Sequence, residues 1–256
     1  MRVTSLQLEI KDRPKEETLE HVLGMLDRAP ASDLLLLPEL WTCGYFSFNR
    51  YKEDSETLEG PTVSALKQKA VERKTYLFMG SFVEREGQNL FNTSLLLNPR
   101  GEVIARYRKI HLFGYQSAEK KLLKRGQEIV VTETPWGKAG LSTCYDLRFP
   151  EFFRKMVDEG AHFFLVASAW PRSRLEAWVL FNRSRAHENL AYLFSCNCVG
   201  VDQGYPYAGH SMVVDPLGKV VADGGEKESL LSVEVDMNLV DSVRREFGAL
   251  EDRVFK

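Results

Sequence analysis

The feature that most restricts how this chain can fold is that part of its second half repeats its first. Ser94-Leu95-Leu96-Leu97-Asn98-Pro99-Arg100-Gly101-Glu102-Val103 lines up with Ser211-Met212-Val213-Val214-Asp215-Pro216-Leu217-Gly218-Lys219-Val220. Tyr76-Leu77-Phe78 lines up with Tyr192-Leu193-Phe194 at nearly the same offset. Asn/Asp-Pro-x-Gly turns are common, so one such match carries little weight. Two matches in the same order at one offset point to an internal duplication. The period is far too long for a solenoid. A duplicated α/β half predicts two similar sheets packed face to face, with helices covering the outer faces.

Strand and helix patterns alternate along the whole chain. Pro14 suits the first turn of a helix, Leu19, Val22, Leu23 and Leu26 recur at helical spacing, and Pro30 follows. Leu34 to Leu37 is an apolar run stopped by Pro38, the pattern of a strand buried on both faces. Thr62 to Arg73 reads as a helix and Tyr76 to Val83 as a strand. Asn92 to Leu97 and Glu102 to Tyr107 read as strands joined by the first repeated turn. In the second half a strand begins near Lys138 and ends over Thr143 to Asp146. Pro150 then opens a helix with Phe152, Phe153, Met156 and Val157 on one face, closed by Gly160. Phe163 to Ala167 reads as a buried strand, Leu175 to Asn189 as a helix and Tyr192 to Val199 as a strand. No Pro/Gly/Ser-rich linker divides the chain, so one domain over 1–256 is expected. Its last stretch, 236–256, is charged with scattered apolar residues and reads as a C-terminal arm.

Bulk properties exclude several classes. A chain of 256 residues with 44% hydrophobic side chains can bury a large core without metal or disulfide. The formal net charge of −2 gives no reason to expect nucleic acid or an anionic membrane as partner. Nothing resembles a secretory signal or a membrane span, so a cytoplasmic location is the default. Cys43, Cys144, Cys196 and Cys198 are too few for a disulfide framework. Cys196-x-Cys198 lacks the further ligands of a zinc site and reads as two buried small hydrophobes.

Three residues at strand ends, where α/β proteins tend to place function, have the chemistry of a site. Glu39 follows the Leu34–Leu37 run directly. Loss of solvation raises carboxylate pKa values toward neutrality, the condition for a general base, although a loop glutamate is the plainer reading. Lys109 sits where the first-half hairpin ends. Its ammonium would stabilise a thiolate or an oxyanion, unless it is an ordinary solvated lysine. Cys144 lies where a strand turns toward the helix opened by Pro150. Backbone N–H groups and the helix dipole activate a thiol so placed, and a buried inert cysteine is the alternative.

Together these segments carry a resemblance. Leu-Pro-Glu-Leu-Trp-Thr-Cys-Gly-Tyr, Arg-Lys-Ile-His-Leu-Phe and Cys-Tyr-Asp-Leu-Arg-Phe-Pro-Glu resemble, in order, the three signature segments of the nitrilase (carbon-nitrogen hydrolase) superfamily. The resemblance spans nearly the whole chain. It implies a four-layer α-β-β-α sandwich, a Glu39-Lys109-Cys144 triad, and a second glutamate at Glu119, with Gly126 following at the expected spacing. It implies no metal or organic cofactor, and a homodimer at least. In the implied reaction Glu39 takes the Cys144 proton and the thiolate attacks an amide carbonyl. Lys109 and the Tyr145 N–H stabilise the oxyanion, ammonia leaves, and water hydrolyses the thioester.

Tyr145-Asp146 after the cysteine resembles the amidase branches rather than nitrile-cleaving members. The Ala167-Ser168-Ala169-Trp170-Pro171 segment looks most like ω-amidases, whose substrates, such as 2-oxoglutaramate, carry a carboxylate. N-carbamoyl amino-acid hydrolases and amidases of deaminated glutathione are the neighbouring branches. A substrate carboxylate calls for a cation, with Arg172 or Arg174 as candidates. Arg148 would pair internally with Glu151 or Asp146. Trp170, Phe113 and Tyr45 are candidates for the pocket wall, and Tyr145 for substrate contact. Two other classes remain. One is a serine hydrolase built on Ser142 in Gly140-Leu141-Ser142-Thr143-Cys144, with His187 or His210 as partner. The other is a scaffold that has lost its chemistry.

Overall fold

The computed structural model describes residues 1–255. The strands of its two large sheets, in chain order, are β1 (Arg2–Gln7), β2 (Leu34–Leu36), β3 (Tyr76–Glu86), β4 (Asn89–Leu97), β5 (Val103–Arg108), β6 (Val131–Thr134), β7 (Gly137–Thr143), β8 (Ala161–Ala167), β9 (Tyr192–Cys196), β10 (Met212–Val214), β11 (Val220–Asp223) and β12 (Ser229–Glu234). The long helices are α1 (Lys15–Arg28), α2 (Pro61–Arg73), α3 (Pro150–Asp158), α4 (Leu175–Asn189) and α5 (Asn238–Phe247).

The first sheet runs β12-β1-β2-β3-β4-β5 and the second β6-β7-β8-β9-β10-β11. Both follow one scheme. An outer strand pairs antiparallel, three strands run parallel, and two antiparallel strands finish the sheet. The repeated decapeptides are the β4–β5 and β10–β11 hairpins, and their turns match atom for atom. Asn98 Oδ1 accepts from Arg100 N (2.9 Å) and Glu102 N (3.1 Å). Asp215 Oδ1 accepts from Leu217 N (2.9 Å) and Lys219 N (3.0 Å). Gly101 and Gly218 close the turns at φ +74° and +78°, where a Cβ is strained. The chain is therefore a duplicated half folded twice.

Each Leu of β2 has its own destination, because successive side chains point to opposite faces. Leu34 and Leu36 join the cluster shared with Phe163, Leu165 and Phe194 of the second sheet. Leu35 and Leu37 join Val22, Met25, Leu26, Val63 and Leu66 of α1 and α2. On the other side Phe153 of α3 meets Phe164 of β8 edge to face. The order of layers is α-β-β-α. Polar contacts cross between the sheets as well, with Cys196 Sγ donating to Leu6 O (3.1 Å) and Ser94 Oγ 3.3 Å from Thr143 Oγ1.

Three of the expected elements differ from the sequence reading. The strand expected through Asp146 stops at Thr143, and Cys144–Arg148 is a single 3₁₀ turn. The strand expected over Tyr192–Val199 breaks at Asn197-Cys198. There the Asn197 side chain replaces ladder bonds, accepting from Trp170 N (2.7 Å) and donating to Gly209 O (2.7 Å). The chain after 236 packs partly on its own second half. Val240 and Val243 of α5 are buried, and Arg244 donates to Leu190 O (3.0 Å) and Ala161 O (2.7 Å). A cation thus covers the open carbonyls of Asn189 and Leu190 at the end of α4.

Candidate active site

The site forms at the C-terminal ends of the parallel strands, where the two sheets meet. Glu39 follows β2 in a loop tied down twice. Ser81 N donates to Pro38 O (3.0 Å), and Leu40 N to Ser81 Oγ (3.0 Å). This closeness needs Gly80: it has φ +64°, and a Cβ there would lie 1.9 Å from Pro38 O. The loop also crosses to the other sheet, since Glu39 N donates to Ser168 O (3.2 Å) and Ala169 N to Glu39 Oε2 (3.0 Å). Lys109 follows β5, with its N–H on Asn92 O (2.9 Å) and its carbonyl taken by Gly126 N (2.9 Å).

Glu39, Lys109 and Glu119 are closed to solvent. Lys109 Nζ lies 2.8 Å from Glu39 Oε1 and 2.8 Å from Glu119 Oε1. Glu119 Oε2 accepts from Phe113 N (2.6 Å) and Tyr45 Oη (3.3 Å). Glu119 begins a four-residue helix whose Lys120 and Lys121 face water. That short helix thus has a solvated face and one buried member. Burial alone would depress the Lys109 ammonium. Glu119 and Glu39 outweigh that and hold it well above its ordinary value. Burial raises the Glu119 carboxyl, with Lys109 pulling it down.

Cys144 sits at φ +48°, a left-handed bend that costs a side-chain-bearing residue on the order of 1–2 kcal/mol. A dense set of bonds holds the bend. Thr143 and Asp146 form a capping box, with Thr143 N on Asp146 Oδ2 (2.8 Å). Asp146 also accepts from Tyr107 Oη (2.6 Å), His111 N (3.2 Å) and His111 Nδ1 (2.7 Å). The His111 ring stacks on Phe149 with centroids 3.7 Å apart. Asp146 therefore ties the cysteine bend to the segment that carries Lys109. Tyr145 is the second residue of the turn, so its N–H has no partner within it. Burial, followed by the Glu39 carboxylate, pushes the Cys144 thiol well up, and Lys109 opposes both.

Of these four residues only Cys144 lines the cleft above, a narrow space of about 100 Å³. Tyr45, Phe113, Tyr145 and Trp170 line it too, as do Phe46, Tyr115 and Tyr205. Arg172 does not. It is exposed and paired with Glu226 (2.8 Å), because the 3₁₀ turn Arg172–Arg174 points its first residue outward and its last toward the cleft. Arg148, expected to pair inside the fold, also lines the cleft. Asp146 is already saturated, and the Arg148 guanidinium lies over the Phe181 and Tyr145 rings (5.1 and 6.0 Å). Ser142 is buried and donates to Leu165 O (3.1 Å), which removes it from any nucleophile role. His187 borders a separate hollow on α4, and His210 is paired with Asp223. Sequence reasoning missed Asn92, buried between Glu39 and Glu119. Its only signal was a polar residue at an inward position of a strand.

The family model for carbon-nitrogen hydrolase matches residues 2–245. The chain belongs to the carbon-nitrogen hydrolase family. A 2-oxoglutaramate amidase of Paenarthrobacter nicotinovorans is 35% identical over 93% of this chain and 84% of its own length. One of Bacillus subtilis is 32% identical over 98% and 96%. The crystal structure of Nit3 of Saccharomyces cerevisiae, a member of branch 10 of the nitrilase superfamily, superposes with a TM-score of 0.90 at 30% identity, over 100% of this chain and 97% of that one. This carbon-nitrogen hydrolase is an amide-hydrolysing enzyme of the nitrilase superfamily with a four-layer sandwich, and it acts on a small-molecule amide.

Proposed function

We propose that this hydrolase cleaves the terminal amide of a small carboxylate-bearing substrate such as 2-oxoglutaramate, through a thioester on Cys144. The observation that carries this reading is the nucleophile's setting. A buried thiol opens alone onto the cleft, with a carboxylate and an ammonium sealed beneath it. Glu39 takes the thiol proton, and the thiolate forms a C–S bond to the amide carbon. Lys109 Nζ and Tyr145 N–H meet the oxyanion. Glu39 returns its proton to the departing nitrogen, which leaves as ammonia. Water, deprotonated by Glu39, then releases the acid and restores the thiol. Glu119 orients Lys109. The names of the relatives support the acyl group. So do the two arginines on a cleft walled largely by aromatic rings, since a desolvated carboxylate needs a cation.

Ammonia release across 2-oxoglutaramate, N-carbamoyl amino acids, aliphatic amides and nitriles tests this. Turnover is expected to be fastest on 2-oxoglutaramate, and an N-carbamoyl amino acid outrunning it would sink the assignment. A charge-assisted hydrogen bond is worth about 1.5–3 kcal/mol. Arg148→Gln and Arg174→Gln are therefore expected to raise KM for the carboxylate substrate about tenfold or more. Neither should change turnover of a neutral aliphatic amide. Equal losses on both substrates would remove the arginines from carboxylate binding.

The same reading includes a homodimer. Leu180 on α4 and Leu217 on the β10–β11 turn are 60% and 57% exposed around one hollow. Phe247, Val254 and Phe255 of the C-terminal stretch are also exposed, in keeping with an arm that reaches a second copy. Light scattering is expected to return at least twice the monomer mass, with Leu180→Glu shifting it toward monomer.

A further inference from the structure

Asn92 lies on β4, fully buried, and touches every member of the charged cluster. Its Nδ2 donates to Glu39 Oε1 (2.8 Å) and to Glu119 Oε1 (3.2 Å). Those are the same two oxygens that Lys109 Nζ holds at 2.8 Å each. Its backbone carbonyl accepts the Lys109 N–H. Two donors and two carboxylate oxygens thus close a ring with one neutral corner. The amide cannot be turned around, because its oxygen would then face two carboxylates. In the orientation observed, Asn92 Oδ1 has no hydrogen-bond partner among the described residues. A buried unpaired amide oxygen destabilises a fold, and an apolar residue would avoid that cost. The chain keeps an amide there, so the donor it supplies has a use.

We infer that Asn92 is a positioning residue that fixes which oxygen of Glu39 exchanges a proton with Cys144 and shares the hydrogen bonding of that carboxylate with Lys109 while Glu119 sits beside it. This rests on the proposed role of Glu39. With Oε1 filled by Lys109 and Asn92, only Oε2 is left for the thiol, and it carries a single bond, from Ala169 N (3.0 Å). The amide also supplies what a second lysine would supply, without a second charge. Two carboxylates face one ammonium, and a neutral donor offsets the excess without cancelling the basicity the reaction needs. The ionisable groups around Glu39 are Lys109 from the end of β5, Glu119 from its short helix, Cys144 from the elbow, Tyr45 from the loop after β2, and Cys198 from behind. Lys109 is the cation among them, so losing a neutral donor has no nearby charge to replace it.

Asn92→Asp keeps the shape and adds a third carboxylate, and Asn92→Ala removes the donor. Both take a hydrogen-bond donor away from the Glu39 carboxylate. In both, the acid limb of kcat/KM for ammonia release is expected to move up by about one pH unit, a tenfold loss on that limb. The alkaline limb should stay in place. A purely structural role would lower activity at every pH and leave the limb where it is. The second readout needs no substrate: the rate of Cys144 alkylation by iodoacetamide against pH, with Cys144→Ala as the site control. A parallel upward shift of that profile supports the inference even if the amide assigned above is wrong. Turnover retained in Cys144→Ala would instead sink the mechanism and leave the alkylation result to stand by itself. An unchanged acid limb in folded Asn92→Asp or Asn92→Ala, judged by circular dichroism, overturns the inference. So does failure of both to fold, which would make the amide a folding requirement.

Discussion

Cys144→Ala is expected to fold as the parent does and to lose turnover on the order of 10⁶-fold, the scale seen when a nucleophile that acts with its base is removed. The two halves of that expectation have separate origins. Stability hardly depends on the sulfur. The bend at φ +48° is held by Thr143, Asp146, Tyr107 and His111, none of which bonds to Sγ. Removing one buried atom beside an open cleft leaves little cavity, and the cost should stay under about 1 kcal/mol. On the proposed mechanism turnover depends on Sγ entirely, since Ser142 is buried against Leu165 and offers no substitute. One alkylation event per chain should match the loss. The thiols of Cys43, Cys196 and Cys198 are buried and none lines the cleft, so they are out of reach. Measuring ammonia release beside the melting curve decides it. A variant that still turns over would remove Cys144 from the reaction.

Lys109→Met is expected to damage stability and activity together, and more so as pH rises. Methionine fills nearly the same volume, so the effect is electrostatic. Glu39 and Glu119 would remain sealed from water with no cation between them. Removing one partner from a buried ion pair costs about 3–5 kcal/mol, a large share of the roughly 5–15 kcal/mol that holds a domain together. Burial already raises the Glu119 carboxyl, and Lys109 is the largest influence in the other direction. Without Lys109 its pKa in the folded protein lies further above its unfolded value. Such a carboxyl stabilises the fold fully below its unfolded pKa, and that contribution is lost as pH rises through the folded one. The stability deficit against the parent should therefore widen between about pH 5 and about pH 8. Denaturant midpoints at both pH values measure it. Loss of an oxyanion donor alone accounts for about 10²–10³ in kcat. A variant as stable as the parent at both pH values would show that Lys109 does not neutralise the cluster.

Much of the fold was legible because its causes are local. The Leu34–Leu37 run is apolar on both faces and became a strand covered on both sides. Leu175–Asn189 was legible as a helix although its buried side carries Asn182, Arg185 and Asn189 beside Trp178. The break at Asn197 was not legible, because a distant backbone N–H, that of Trp170, claims the side chain. β12 was missed for a similar reason. Its alternating, half-exposed residues make a strand only because β1, more than 200 positions earlier, offers an edge.

What the order of residues determined by itself is the duplication, the layers that follow from it, and the three strand ends that carry Glu39, Lys109 and Cys144. The strand ends come from apolar runs and turn chemistry within a few positions, the duplication from two matched segments at one offset, and the choice of those three side chains from the resemblance their segments carry. What only the tertiary structure decided is which charges meet. It turned Arg172 outward and Arg174 inward on one short turn, freed Arg148 because Asp146 was already saturated, and put Asn92 between two carboxylates. Electrostatic contacts depend on distances of a few ångströms between segments far apart in sequence. Those distances exist only once the two sheets have closed on each other.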